Sequence, residues 1–283
     1  MAGGMMVGAT VLNACDGVIV RLLAGEVHPF IIALFRAVFG LLFLMPWILR
    51  RGDLMASPYR GMHVLRAGLK LASLLALFVA FARAPLSDVT AISFATPIFI
   101  LIGACLLLGE RMTLARAVSV LVGFAGMLVI LRPGQGGLDP ALLFAMAGAV
   151  LTALIQLMLK SMAQNDRPDR LVAWNLISMV PLALILAVFV WETPSPRAFG
   201  LLAVQGVIGV ASQGMITRAF ALADASFVAP LDFLRLPVIA LMAFVFFGEL
   251  AGISTWIGAG IIILAILIGA MSKGGDKQGP QIP

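Results

Sequence analysis

A chain of 283 residues that is 62% hydrophobic and only 11% charged lies far from soluble domains, at roughly 45–50% apolar and about 25% charged. Its mean hydropathy of +1.11 leaves too little polar surface to cover a soluble core, and no length for a separate catalytic domain. The net charge of +6 then reads as a positive-inside bias of a membrane protein, not as a nucleic-acid footprint.

Taken in chain order, ten apolar segments have membrane-spanning length: 4–24, 29–49, 64–83, 87–108, 114–131, 140–161, 170–191, 198–220, 226–247 and 252–272. Turn and charge signals such as His28-Pro29, Arg50-Arg51-Gly52-Asp53, Gly109-Glu110-Arg111 and Arg132-Pro133-Gly134 separate them. The first segment has no basic leader region and reads as an uncleaved helix. Runs of this length must be helical, because hydrocarbon offers no partner to an open strand. The expectation is an all-α integral membrane protein. Cys15 and Cys105 both fall in apolar segments, so no disulfide framework is indicated.

Basic residues orient the spans. With the amino terminus inside, Arg50, Arg51, Arg60, Arg66, Arg111, Arg116, Lys160, Arg167, Arg170, Arg218, Lys273 and Lys277 fall on the inner side, against Arg21, Arg83, Arg132 and Arg197 outside. That asymmetry predicts both termini in the cytoplasm. His28 and His63 are read as loop residues.

The halves repeat at an offset of about 139–140 residues: Gly109-Glu110 recurs as Gly248-Glu249, Ser87 as Ser226, Gly8-Ala9 as Gly148-Ala149 and Pro97 as Pro237. Five spans per half is odd, so the halves insert with opposite topology. Inverted repeats are a plan of secondary transporters, with the cargo site near the midplane at the repeat interface. The expected boundaries are a first five-helix repeat over 1–135, a second over 136–273 and a cytoplasmic tail over 274–283.

Each half contains an Ala/Ser-rich helix start, a mid-span proline and a Gly-Glu span end. They read Ala84-Pro85-Leu86-Ser87 to Pro97 to Gly109-Glu110-Arg111, and Ala223-Asp224-Ala225-Ser226 to Pro237 to Gly248-Glu249. This pattern resembles the drug/metabolite transporter superfamily with duplicated EamA domains, over essentially the whole chain. The resemblance implies ten transmembrane helices as two five-helix inverted-topology repeats, often in an exporter of amino acids or other small metabolites. The YddG-like aromatic amino-acid exporters are a candidate related group. The superfamily also includes sugar-phosphate and nucleotide-sugar carriers, so fold does not name the cargo.

Ionisable groups inside the spans are functional candidates, because a charge at the bilayer centre costs at least about 2.5–3.5 kcal/mol. Asn13 and Asp16 share one face of span one. Arg36 in span two reaches a similar depth to Asp16, so a salt bridge is available to them. Asp232 and Arg235 in span nine can pair along one helix. Such pairs either neutralise one another and lock helices, or offer both signs to a zwitterionic cargo. Gln156, with Thr152 on its face, and Trp174 and Asn175 complete the expected cavity lining. Lys70 is a weaker candidate, since a long side chain near a span end can snorkel.

Pro97 and Pro237 each remove a helical hydrogen bond and are expected as hinges. They would free the carbonyls of Ser93 and Phe233, and Ser93 is counted with the site. The alternative is an ordinary kink re-satisfied by local hydroxyls. Gly4 and Gly8, and Ser119, Gly123 and Gly126, read as close helix packing. Spans five and ten carry few polar groups and are placed at the periphery.

No nucleophile constellation, metal-ligand motif or phosphate loop appears. The reading is therefore a secondary carrier of a bacterial inner membrane, exporting amino acids or similar small polar metabolites by alternating access. No cofactor, metal or nucleic acid is expected, the partners being the small-molecule cargo and membrane lipid. A carrier for nucleosides, sugar phosphates or drug-like cations is the alternative; an intramembrane enzyme or a channel is less favoured.

Overall fold

The computed structural model describes residues 1–23, 25–50, 57–84, 86–131, 140–248 and 252–271. The expected tail and Pro85, Arg51, Arg132, Glu249, Lys273 and Lys277 lie outside the described residues. All regular structure among them is helical. In order these are α1 (Ala2–Leu23), α2 (Pro29–Arg50), α3 (Arg60–Arg83), α4 (Leu86–Ser93), α5 (Thr96–Leu108) and α6 (Leu114–Leu131). There follow α7 (Leu142–Ala163), α8 (Pro168–Val188), α9 (Pro196–Leu222), α10 (Ala225–Val228), a 3₁₀ segment (Ala229–Leu234), α11 (Arg235–Phe247) and α12 (Ile253–Met271). Eight helical segments among the described residues are long and apolar enough to cross a membrane, and Thr96–Leu108 and Ile253–Gly269 are shorter apolar helices.

The fourth and ninth predicted spans are broken, the fourth at Phe94-Ala95 and the ninth at a 3₁₀ segment, each upstream of its proline. Pro97 stands in the first turn of α5, where its missing N–H leaves no gap in the helix. The Ser93 carbonyl accepts a hydrogen bond from Thr96 Oγ1 at 2.7 Å, so a local hydroxyl re-satisfies it. Pro237 likewise lies in the first turn of α11, after the 3₁₀ segment. The Arg235 N–H turns onto the carbonyls of Asp232 and Phe233. Neither proline is a mid-helix kink, then. The bends they were expected to cause sit upstream of them.

Equivalent turns close both broken spans. Gly109 and Gly248 cap α5 and α11 with φ of 65° and 67°, a left-handed conformation that glycine adopts without a Cβ penalty. At the periphery α6 packs chiefly on α12. A Cβ at Gly258 would lie 2.6 Å from the Gly126 carbonyl oxygen, and one at Gly126 2.9 Å from the Gly258 oxygen. Ser119 Oγ donates to the Ala265 carbonyl at 2.6 Å across the same pair. A Cβ at Gly4, by contrast, would find nothing within 4 Å, while one at Gly8 would lie 3.0 Å from the Met215 sulfur, so only half of that expected motif packs. Overpacking costs about 1–3 kcal/mol. Gly258→Leu should therefore lower the thermal unfolding midpoint, while Gly260→Leu, with nothing within 4 Å, should leave it unchanged.

One end of the bundle gathers the starts of α1, α3, α8 and α10 with the ends of α5, α7 and α9. There Met6, Leu159, Met162, Leu171, Phe220 and Ala225 form a shared apolar core. Ile19, Leu23, Ile31, Ala187 and Leu202 pack at the opposite end. Between these plugs lie Asn13 of α1, Asn175 of α8 and Gln213 of α9.

Candidate functional site

Two cavities with charged and polar side chains set among apolar ones occupy the middle of the bundle. The first, about 280 Å³, is enclosed by α1, the α4–α5 break, α7, α9 and the 3₁₀ segment with α11. Asn13, Ser93, Gln156, Asp232 and Arg235 all line it, together with Thr96 and Thr152. Five residues expected at the site from four spans thus converge. The second, about 250 Å³, lies among α2, α3, α8 and α9 and is lined by Arg36, Lys70, Ser73, Asn175 and Gln213. Leu77 lines both cavities. Ser73 Oγ lies 3.0 Å from Thr152 Oγ1, joining their walls by a hydrogen bond. A larger groove of about 670 Å³ on α11 and α12 has apolar walls such as Leu241, Phe244 and Ile263 and no charged lining residue.

In the first cavity the helix breaks bring the halves of the chain together. The Arg235 guanidinium lies over the Phe94 ring at 4.8 Å, a cation–π arrangement. Arg235 Nε is buried without a hydrogen-bond partner. Asp232 and Arg235 do not form the expected intrahelical ion pair. A 3₁₀ turn, not an α-helix, carries Asp232, and Arg235 turns instead toward the other break. Ser212 Oγ donates to Asn13 Oδ1 at 2.6 Å, and Ser93 Oγ to the Val89 carbonyl at 2.8 Å.

Of the other expected pair, Arg36 lines the second cavity and Asp16 does not. Arg36 Nε stands 3.5 Å from Asp16 Oδ1, an ion-pair contact without hydrogen-bond geometry, since that oxygen is buried without a hydrogen-bond partner. Gly209 of α9 makes room for it: a Cβ there would lie 2.8 Å from Arg36 Nε. Asn175 Oδ1 accepts from Arg66 Nη2 at 3.2 Å. Lys70 is near the middle of the 24-residue α3, not at a span end, and lines the cavity.

Trp174 departs from expectation and lines neither cavity. Its ring stacks on His63, 5.3 Å between centroids with 6° between planes, because adjacent helical residues point about 100° apart and Asn175 takes the cavity side. His63 is not in a loop: it is buried in the first turn of α3. Its Nε2 is 3.1 Å from Ser57 Oγ, which donates to Asp166 Oδ2 at 2.8 Å. Arg170 Nη1 completes this cluster at 2.8 Å from Asp166 Oδ1.

A second polar cluster ties the same end of the bundle. Glu110 accepts three hydrogen bonds at the start of α10: from the Ala225 N–H at 2.8 Å, the Ser226 N–H at 3.0 Å and Ser226 Oγ at 2.7 Å. A carboxylate there is favoured by the exposed N–H groups of the helix start. Arg116 Nη1 pairs with Asp224 Oδ2 at 3.0 Å and bonds Ser226 Oγ at 3.0 Å. Lys160 Nζ donates to the carbonyls of Phe220 and Ala223, at 3.0 and 2.8 Å, at the end of α9. Arg66, Arg116 and Lys160 belong to the inner-side charges of the sequence, yet all three are buried. The one sequence signal for Glu110 was the Gly-Glu recurrence.

The chain matches the EamA-like transporter family twice, over residues 2–132 and 139–270. It belongs to that family, within the drug/metabolite transporter superfamily, and is a multi-pass membrane transporter rather than an enzyme. It is 32% identical over 231 residues to a riboflavin transporter of Rhizobium johnstonii, covering 81% of this chain and 76% of that one. It is 30% identical over 258 residues to an S-adenosylmethionine uptake transporter of Rickettsia prowazekii, covering 91% and 88%. A crystal structure 18% identical in sequence superposes with a TM-score of 0.83 over 96% of each chain, and so shares the fold.

Proposed function

We propose that this protein is a secondary carrier for a small metabolite bearing an α-amino-acid group, moved by alternating access between two five-helix repeats. Asp232 and Arg235 support this most directly: opposite charges in one enclosed cavity, neither neutralised by the other. A cargo ammonium would meet Asp232 and its carboxylate Arg235, with Asn13 and Gln156 supplying neutral hydrogen bonds. The similarity to an S-adenosylmethionine uptake transporter agrees with this, since that molecule carries an amino-acid group. A neutral flavin cargo would leave both charges without a counterpart, although a riboflavin transporter is also a relative.

Counting each broken segment as one gives ten spans in two repeats, 1–135 and 136–273, with both termini cytoplasmic in a bacterial inner membrane. The clusters around Glu110, Lys160 and Asp166 then latch the cytoplasmic end, so the conformation described is closed on that side. Direction follows the gradients across the membrane. Export was the expectation from the family resemblance, whereas the name of the Rickettsia relative specifies uptake.

The test is counterflow in proteoliposomes with labelled S-adenosylmethionine, methionine and riboflavin. Accumulation of either amino-acid-bearing probe, but not of riboflavin, is the expected result. Accumulation of riboflavin alone overturns the cargo assignment.

A further inference from the structure

Arg36 and Lys70 line the second cavity and Arg66 adjoins it through Asn175, which is more positive charge than the surroundings compensate. Arg36 has Asp16 at 3.5 Å. Arg66 is buried, and its Nε and Nη1 make no hydrogen bond; its one bond goes to the neutral oxygen of Asn175. Lys70 follows Arg66 by four residues and so lies on the same face of α3. Among the described residues no carboxylate pairs with Arg66 or Lys70. Uncompensated cations within a span are costly and are retained where they face a ligand or an ion path. Arg66 cannot escape by losing its proton. Asn175, Ser73 and Gln213 add neutral polar groups around the same space.

We infer that the second cavity is an oxyanion subsite, in which Lys70, supported by Arg66 through Asn175, takes an acidic group — carboxylate or phosphate — of the cargo or of a co-transported ion. It deepens the carrier reading, and rests on that reading in taking this cavity as part of the cargo path. The ammonium–carboxylate group is assigned to the other cavity, so the cargo or its co-substrate carries an additional acid. The shared wall at Leu77 and the Ser73–Thr152 bond leave the two subsites adjacent.

Thermal unfolding of the purified full chain, in inorganic phosphate or succinate against sodium chloride of equal ionic strength, tests this. Wild type should be stabilised by several degrees in at least one oxyanion. Stabilisation by phosphate alone assigns a phosphorylated group, by succinate alone a carboxylate, and by both a general oxyanion site. Lys70→Gln should weaken apparent oxyanion affinity by roughly tenfold or more. In chloride the same variant should be at least as stable as wild type, because it removes an unpaired charge; a merely structural lysine would lower it. Arg235→Gln should keep the part of the oxyanion response that Lys70→Gln removes, so failure of the amino-acid assignment would not mimic failure here. No stabilisation in either oxyanion, or an undiminished response in Lys70→Gln, overturns the inference.

Discussion

Replacing Arg235 by glutamine should abolish counterflow while leaving the protein inserted and folded. Removing one member of a buried charge contact in a binding site costs about 2–5 kcal/mol, and each 1.4 kcal/mol is about tenfold in affinity. The expected loss in apparent cargo affinity is therefore about thirtyfold or more. Arg235 has no ion-pair partner among the described residues, and its guanidinium rests on Phe94, so its removal breaks no salt bridge within the protein. Asp232→Asn should show the same separation between function and stability. Asp16→Asn should not: it strands Arg36 beside Gly209 and is expected to lower stability as well as transport. Counterflow alongside the unfolding midpoint separates the two classes. Full transport by Arg235→Gln would remove this residue from the cargo site.

Replacing Glu110 by glutamine should open the latched end. The carboxylate receives three hydrogen bonds from the start of α10, and hydrogen bonds to a charged group contribute about 1.5–3 kcal/mol each. Glutamine retains one acceptor oxygen and adds donors facing N–H groups that already donate. A loss equivalent to one charged bond would shift a two-state equilibrium by about tenfold or more. A cysteine at Ile100, which lines the first cavity on α5, reports the change in a background with Cys15 and Cys105 replaced by serine. Its modification by an impermeant thiol reagent from the cytoplasmic side should accelerate about tenfold in Glu110→Gln. Unchanged reactivity would reduce the Glu110 cluster to a helix cap.

Much of this arrangement is legible in the sequence because hydrocarbon constrains it. A span must be apolar, so each exception in its interior stands out: Asn13, Gln156, Asp232 and Arg235 could be singled out, and they meet in one cavity. The Asp16–Arg36 contact followed from matching depths measured from the turn between α1 and α2. Charges near span ends were harder, because a residue that snorkels to the interface and one that caps a neighbouring helix have the same sequence position. Lys160 illustrates this. Its role depends on the Phe220 and Ala223 carbonyls, about 60 residues away in the chain, and no local pattern reports them. Arg66 was misplaced because α3 begins at Arg60, four residues before the predicted edge, which carries it a further turn into the bundle. Trp174 failed for a different reason: an aromatic ring beside a cavity residue looked like cargo lining, yet its partner is His63. The prolines marked the broken spans correctly but not where they break, since proline is well tolerated in a first helical turn and both helices restart there.

The most direct measurement is trans-stimulation in proteoliposomes containing the purified protein. Uptake of labelled S-adenosylmethionine is followed with and without unlabelled compound inside, and the recovered label is checked for chemical identity. Alternating access between two repeats predicts that internal substrate accelerates entry, with a transient accumulation above the external concentration and the compound unaltered. Entry that is indifferent to internal substrate, as through an open pore, or label recovered in another chemical form, would contradict the account.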